Sequence, residues 1–180
     1  MSDMTLAKLE NYNVDQLAAD AAFWRKSQRL WAENHLSNVS SVAALDWEGL
    51  AGEAANMRTL ADMGTADAAG EVSQAASGVA DGAGAALMTL RSAALLAVDA
   101  ARADGFTVGN DFTVSDPNPV LAPLAAARRA LAQTHSTAIV SAVEALVEYD
   151  RDVARLLDGH SAALQAVKFA DGNPAPSIAI

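Results

Sequence analysis

The stretch Leu45-Asp46-Trp47-Glu48-Gly49-Leu50 is the most informative part of the chain, because it separates two long, Ala-rich segments. Asp46 is a suitable N-cap for the second segment. The leucines at the two ends of the stretch flank this cap with the spacing of a hydrophobic staple. Trp47 supplies a large ring that can anchor the corner, and Gly49 permits close backbone approach or an unusual backbone angle. The stretch therefore predicts a turn between two helices.

The composition points to helices throughout the chain. Of the 180 residues, 52% are hydrophobic but only 5% are aromatic, so the apolar content is mostly Ala, Leu and Val. Ala is the best helix former, and small side chains let helices pack closely. This length is enough for one compact domain with a core of its own. An all-α domain is the simplest expectation.

Apolar residues recur with helical spacing on both sides of the corner. The first long helix is predicted over residues 14–41, after a short helical turn at 5–11. The second is predicted over residues 47–103. Its first apolar stripe contains Leu50, Ala54, Met57, Ala61, Gly64 and Ala68, and the pattern continues through Leu87, Leu90, Ala94 and Val98.

Glycines interrupt the middle of the second long helix. They are Gly70, Gly78, Gly82 and Gly84, and each interior Gly costs roughly 1 kcal/mol relative to Ala. Two interpretations follow from this pattern. Either the helix bends or breaks near residues 78–84, or it is continuous and its neighbours approach closely over small residues.

Turn signals define the remaining elements. Gly105 is placed to end the second helix as a C′ glycine. Two β-prone runs around Gly109-Asn110-Asp111 predict a hairpin over residues 106–114, with Phe106 or Phe112 docked against the helices. A third long helix is predicted over residues 119–170.

The apolar phase of the third helix continues through Thr134-His135-Ser136, where a break would create a fourth helix. The predicted fold is an all-α, elongated antiparallel bundle of three to four long helices with a small inserted β-hairpin. It covers residues 1–172, and residues 173–180 are predicted to be a linker or tail because the chain there is rich in breakers.

Charge and residue usage exclude several kinds of function. The net charge of −10 argues against a nucleic-acid partner, because phosphate contacts need clustered Lys and Arg. The most apolar run, residues 93–98, is too short to span a bilayer, so no membrane insertion is expected. The chain has no Cys, and its histidines, His35, His135 and His160, are scattered. We therefore expect no metal site and no cofactor.

No convergent catalytic set is visible in the sequence. Four carboxylates lie close together in the third helix, at Glu144, Glu148, Asp150 and Asp152. A pair of carboxylates in acid–base catalysis needs a cleft and shifted pKa values. A solvated helix face is the simpler interpretation, and we predict no catalytic residues and no enzyme activity.

The tryptophans are the strongest candidates for a recognition surface. Trp24 and Trp31 lie seven residues apart and therefore on one side of the first long helix. They are either core residues or an exposed docking stripe for another helix. Trp47 has the same two possible roles, since its ring can anchor the corner, contact a partner, or do both.

Residues 1–103 resemble the WxG helical-hairpin proteins of type VII secretion. The resemblance consists of a first helix of about 30 residues, the corner Trp47-Glu48-Gly49, and a second long helix. The added hairpin and third helix are similar to the amino-terminal domains of larger mycobacterial type VII substrates. In that family the WxG turn is part of a secretion or recognition surface, and only Trp47 and Gly49 carry over from it. The family's second element, a Tyr followed four residues later by Asp or Glu, does not match at Tyr12 or Tyr149.

The resemblance implies a non-enzymatic targeting or assembly module of a type VII secretion substrate. Its partners would be proteins: secretion machinery, a chaperone or a second copy. Residues 1–13 lack the apolar region of a signal peptide. The expected location is therefore outside the cell without signal cleavage, or the cytoplasm. The alternative is a cytoplasmic helical scaffold or oligomerisation module with no export role.

Overall fold

A computed structural model describes residues 4–44, 49–118 and 122–169. The elements in chain order are α1 (Leu6–Glu10), α2 (Asp15–Ala43), α3 (Leu50–Ala103), β1 (Thr107–Val108), β2 (Val114–Ser115) and α4 (Ala122–Gln165). The protein is all-α, with the long helices α2, α3 and α4 packing together and a small antiparallel two-stranded sheet between α3 and α4. The predicted fold class is confirmed.

The chain forms two compact units, and α3 and α4 contribute to both. The hairpin unit consists of Met1–Gln16 and Ala83–Val153, and the α2–α3 unit consists of Leu17–Gly82 and Ala154–Ile180. Each unit has its own buried residues and is described separately below.

In the α2–α3 unit, the two helices that give it its name run antiparallel. Arg25 of α2 forms an ion pair with Asp81 and donates a hydrogen bond of 3.4 Å to the Ser77 hydroxyl. Three residues further along α2, Gln28 packs against Gly70, which lies earlier in α3. Residues later in α2 thus contact residues earlier in α3, as expected for two antiparallel helices. The core is built largely of small side chains: Ala21, Ala66, Ala69, Ser73, Ala76 and Ala80 are all buried, together with Trp24.

Gly49 fixes where α3 begins. Its φ is +79°, a left-handed conformation that an α-helix does not contain, and its carbonyl accepts the amide hydrogen of Glu53 at 3.1 Å. The helix therefore begins at Leu50, and the predicted start near residue 47 is wrong by about one turn. The proposed cap, staple and Trp47 lie outside the described residues.

The glycines of α3 do not break it. The helix is continuous from Leu50 to Ala103, so the second interpretation is correct about continuity and the predicted break near residues 78–84 is wrong. Close approach to the described residues requires none of these glycines, because 3.9 Å is an ordinary van der Waals distance. A Cβ would meet a neighbour at 3.9 Å at Gly70 and at Gly84, whereas at Gly78 and Gly82 it would meet nothing within 4 Å.

Alanine at the open glycine positions is expected to stabilise the protein. Gly78→Ala and Gly82→Ala should each raise the free energy of unfolding by about 0.5–1 kcal/mol, because the helical backbone is kept and the added methyl group meets open space. Gly105→Ala is the control and should destabilise, since Gly105 has a φ of +81°. Urea denaturation of the three variants measures this. A lower stability of Gly78→Ala would show that the helix face around Gly78 is in contact with other atoms, so that the added methyl group clashes.

Within the hairpin unit, α3 ends in a Schellman motif just before the β-hairpin. The Phe106 amide donates to the Ala101 carbonyl and the Gly105 amide to the Arg102 carbonyl, both at 3.0 Å. The two strands then pair with Val108 opposite Val114. Both phenylalanines of the hairpin are buried, Phe106 with 3% of its surface exposed and Phe112 with 6%. The C′ glycine, the hairpin and the docked aromatic residues are confirmed, although the strands are only two residues long.

The remaining core of the hairpin unit lies between α3 and α4. It contains Leu87, Ala94, Val98 and Ala101 from α3, and Ile139, Val143, Leu146 and Val153 from α4. These residues follow the apolar phases predicted for both helices. The third long helix, α4, is unbroken at residues 134–136, and its bounds of Ala122 and Gln165 lie a few residues inside the predicted range.

The short helix α1 is fastened to the rest of the hairpin unit at both ends. Leu6 and Leu9 are buried. At its start, the carbonyl and side-chain oxygens of Asn110 accept the amides of Leu6 and Ala7 at 2.9 and 3.0 Å. At its end, Arg91 donates to the Leu9 carbonyl at 3.0 Å and to the Glu10 carbonyl at 2.5 Å. Backbone groups at both ends of this short helix are thus satisfied by residues distant in sequence, in addition to the local bonds of Thr5 and Asn11.

The apolar content of α3 extends beyond the six-residue run noted in the sequence. The helix contains an 18-residue window with a mean hydropathy of 1.3, of which 22% is buried. By length and composition alone, such a helix is sufficient to cross a membrane. The core helix of a globular protein passes the same test, and the absence of membrane insertion stays a prediction.

Candidate functional site

The four candidate recognition residues fall in different surroundings. Trp47 lies outside the described residues. Gly49 is exposed, and a Cβ there would meet none of the described residues within 4 Å, so its observed role is the left-handed backbone angle rather than close approach.

The tryptophans of α2 pack inside the protein. Trp24 has 6% of its surface exposed and meets Phe23 edge-on, with ring centroids 5.8 Å apart. Trp31 is half-buried and stacks on Phe169 at 5.9 Å. The core interpretation therefore describes Trp24, and these rings do not form an exposed stripe on α2.

An exposed apolar face lies instead on α3. Leu50 is 86% exposed and Met57 is 72% exposed. The four smaller members of the first apolar stripe, Ala54, Ala61, Gly64 and Ala68, are exposed as well. The sequence predicts this stripe correctly as a helical pattern, but the structure leaves it in contact with solvent. We call these six residues the α3 stripe.

The spacing of the α3 stripe alternates between four residues and three. This alternation is the heptad repeat by which one helix packs along another. It continues through Glu71, Ala75, Gly78 and Gly82, all of which are exposed. Leu36 of α2 and Leu60 of α3, 65% and 66% exposed, add further apolar surface to the same unit.

The histidines do not come together. His135 Nε2 lies 2.8 Å from Asp104 Oδ2, and its ring packs against Phe106 with centroids 5.6 Å apart. His35 Nε2 is buried without a hydrogen-bond partner among the described residues, and His160 is half-buried. In the part of the chain that the structure describes, no group of three His, Asp or Glu side chains has the arrangement of a metal site.

Arg128 joins the end of α3, the hairpin and α4, a role that the sequence does not predict. Its Nε and Nη2 atoms donate to the two carboxylate oxygens of Asp116 at 2.7 and 3.0 Å, and its Nη1 donates to the Asp104 carbonyl at 3.0 Å. The guanidinium also lies 4.1 Å from the ring centroid of Phe106. The hydrogen bond from Arg128 lowers the pKa of Asp116 below its ordinary value.

The carboxylates of α4 form a solvated face, as predicted. Glu144, Glu148 and Asp150 are exposed, and Asp152 is half-buried. Asp150 has one specific partner, because it accepts a 2.7 Å hydrogen bond from the hydroxyl of Tyr12. This pair joins residues 138 positions apart, a separation over which local sequence patterns carry no signal.

The Tyr12–Asp150 pair is expected to make stability depend on alkaline pH. Burial, followed by the hydrogen bond to Asp150, raises the pKa of the Tyr12 phenol above its ordinary value of 10.0. The neutral phenol is therefore favoured in the folded state. The contribution of the neutral phenol to the free energy of unfolding is complete below pH 10. It is lost as the pH rises further, through the raised pKa of Tyr12 in the folded state.

Urea denaturation across the alkaline range tests this expectation. Tyr12→Phe should be less stable than the wild type below pH 10, and the difference should shrink as the pH rises. Tyr149→Phe removes the other, more exposed tyrosine and is the matched control. A constant difference between Tyr12→Phe and wild type at every pH would contradict the assignment.

Comparison with known proteins finds relatives of uncharacterised function. Uncharacterized proteins of Mycobacterium bovis and of two strains of Mycobacterium tuberculosis are each 29% identical to this chain over 168 residues. The match covers 92% of this chain and 52% of each relative, so the chain spans about half the length of the curated relatives it matches. No family model matches the sequence, and no solved structure matches it.

Proposed function

We propose that this chain is a non-enzymatic targeting or assembly module of an exported type VII secretion substrate. In this proposal the α3 stripe receives a helix of a partner protein of the secretion system, and Trp47 and Gly49 form part of the recognition corner beside it. The observation that carries the proposal is the exposed heptad pattern of α3, headed by Leu50 and Met57.

The glycines support a helix as the occupant. Gly64, Gly78 and Gly82 lie on the exposed face, and a Cβ at each would meet nothing within 4 Å. Each costs roughly 1 kcal/mol in a helix, and no packing among the described residues offsets that cost. Small residues at heptad spacing allow two helix backbones to approach closely, so a partner helix would account for both features.

Two further observations support the link to type VII secretion. Residues 1–103 resemble the WxG hairpin family, and α2 and α3 form an antiparallel pair joined near Gly49. The relatives that match are mycobacterial. A cytoplasmic scaffold without an export role is the second candidate, because the same exposed face would also serve self-association.

The test is secretion of the tagged full chain in a mycobacterial strain with and without a functional type VII machine. Export is expected only in the first strain, and Met57→Glu should reduce it because a charge is placed within the α3 stripe. Met88→Glu is the matched control, since Met88 is an exposed methionine of the same helix outside the stripe and its repeat. Trp47→Ala tests the corner.

The outcomes separate the two candidates. Equal export, or none, in the two strains contradicts the secretion role. If light scattering then shows that the protein self-associates and that Met57→Glu abolishes this, the scaffold function is supported. If Met57→Glu and Met88→Glu behave alike in both assays, the α3 stripe is not the interaction surface.

A further inference from the structure

A cavity of about 660 Å³ lies within the hairpin unit, between β2 and α4. Residues Thr113 to Asp116 form one wall, and one face of α4 from Ala125 to Ser136 forms the other. Its volume falls within the range of about 300–1,000 Å³ that small-molecule sites occupy. The cavity is separate from the α3 stripe, which belongs to the α2–α3 unit.

The charges around this cavity are opposite in sign to the charge of the whole chain. Arg128 and Arg129 line it together with a single carboxylate, that of Asp116. The chain as a whole has a net charge of −10. The charge of Arg128 is paired with the Asp116 carboxylate, and its guanidinium also contacts the Asp104 carbonyl and the Phe106 ring. The excess positive charge therefore belongs to Arg129.

Arg129 has hydrogen-bonding capacity left over. Its Nε donates to the Ala125 carbonyl at 3.3 Å. Among the described residues, neither of its terminal amino groups has a hydrogen-bond partner or a carboxylate within ion-pair distance. A guanidinium presents parallel donors that match a carboxylate or a phosphate group.

Two further donors lie along the same wall. Gln133 and Ser136 follow Arg129 at spacings of four and seven residues, so all three share one face of α4. The side-chain amide of Gln133 and the hydroxyl of Ser136 also have no partner within the described ranges 4–44, 49–118 and 122–169. Among the lining residues that the structure describes, the wall thus combines one cation without an ion-pair partner, two uncharged donors and no unpaired carboxylate.

We propose that this cavity binds a small ligand through an oxyanion, a carboxylate or a phosphate group, held by Arg129 with Gln133 and Ser136. Arg129 supplies the charge, and the amide and hydroxyl complete the hydrogen bonds to the remaining oxygen atoms. Arg128 positions the wall by binding Asp116 and the end of α3, and it does not contact the ligand itself. The site requires no export role and is independent of the proposed function.

Titration of the ¹⁵N-labelled full chain with inorganic phosphate or with succinate, at constant ionic strength, tests the proposal. Saturable shifts are expected at the amides of Val114 and Ser115 and at the Arg129 side chain for at least one of the two probes. Which probe saturates identifies the oxyanion. Arg129→Gln should weaken the binding by about tenfold or more, the effect of losing a charge-assisted hydrogen bond.

Arg29→Gln is the matched control, because Arg29 is an exposed arginine of α2 in the other unit. It should leave the affinity unchanged. Shifts that never saturate, that spread over all basic side chains, or that persist equally in Arg129→Gln would overturn the proposal. Arg129 is exposed on its helix, so its substitution should not prevent folding, and circular dichroism verifies this.

Discussion

Ending the chain after Asp104 is expected to abolish cooperative folding of the hairpin unit. In the intact chain, Leu87 and Val98 of α3 have no exposed surface. The buried residues of this unit that follow position 104 include Phe106, Ile139 and Leu146, and all of them would be lost. Burial of each side chain of this size contributes about 1.5–3 kcal/mol to the free energy of unfolding. The loss of only a few of them therefore equals the whole stability of a typical domain.

Circular dichroism and light scattering on residues 1–104 and 1–172 measure this effect. The shorter fragment should aggregate or dimerise through its uncovered apolar face. The longer one keeps every described residue and should melt cooperatively without a different partner protein. A soluble, monomeric, cooperatively melting 1–104 fragment would show that α4 is an appendage and that the α2–α3 hairpin is the whole folding unit.

Leu146→Ala is expected to destabilise the protein by about 2–5 kcal/mol, because it removes a fully buried side chain and leaves a cavity. Leu156→Ala makes the same chemical change on the same helix, at a side chain that is 55% exposed. It should alter the free energy of unfolding by no more than about 0.5 kcal/mol.

Urea denaturation of the two leucine variants gives the comparison directly. The matched pair removes any effect of helix propensity, which is the same at both positions. Equal destabilisation by the two substitutions would mean that position 156 is covered in solution, for example by self-association. That result would also identify α4 as part of an interface.

Helix lengths and ends could be predicted from the sequence to within a few residues. Apolar periodicity predicted α2 and α4, and Gly105 ended α3 at the predicted place because a left-handed C′ residue is a local requirement. The start of α3 was misplaced because Asp46 was interpreted as its N-cap, whereas the left-handed backbone of Gly49 delays the helix to Leu50. Continuity through Gly78 and Gly82 was left open, because local propensity disfavours it and tertiary packing decides it.

The candidate site was only partly predictable. The α3 stripe was recognised as an apolar pattern, but its exposure was not foreseen. Buried positions of α3 such as Ala69, Ser73 and Ala76 are as small as, or more polar than, the exposed Ala61 and Ala68. Hydropathy therefore does not distinguish the two faces.

Local signals are sufficient to predict the all-α class, the hairpin and the order of the elements, because apolar periodicity and Gly and Pro chemistry act within a few residues. The buried face of α3, the contact of Tyr12 with Asp150 and the joining of three elements by Arg128 depend on tertiary packing. So does the placement of Arg129, which has no ion-pair partner among the described residues. The reason is that these contacts depend on the shapes and distances of side chains far apart along the chain, which local propensities do not encode.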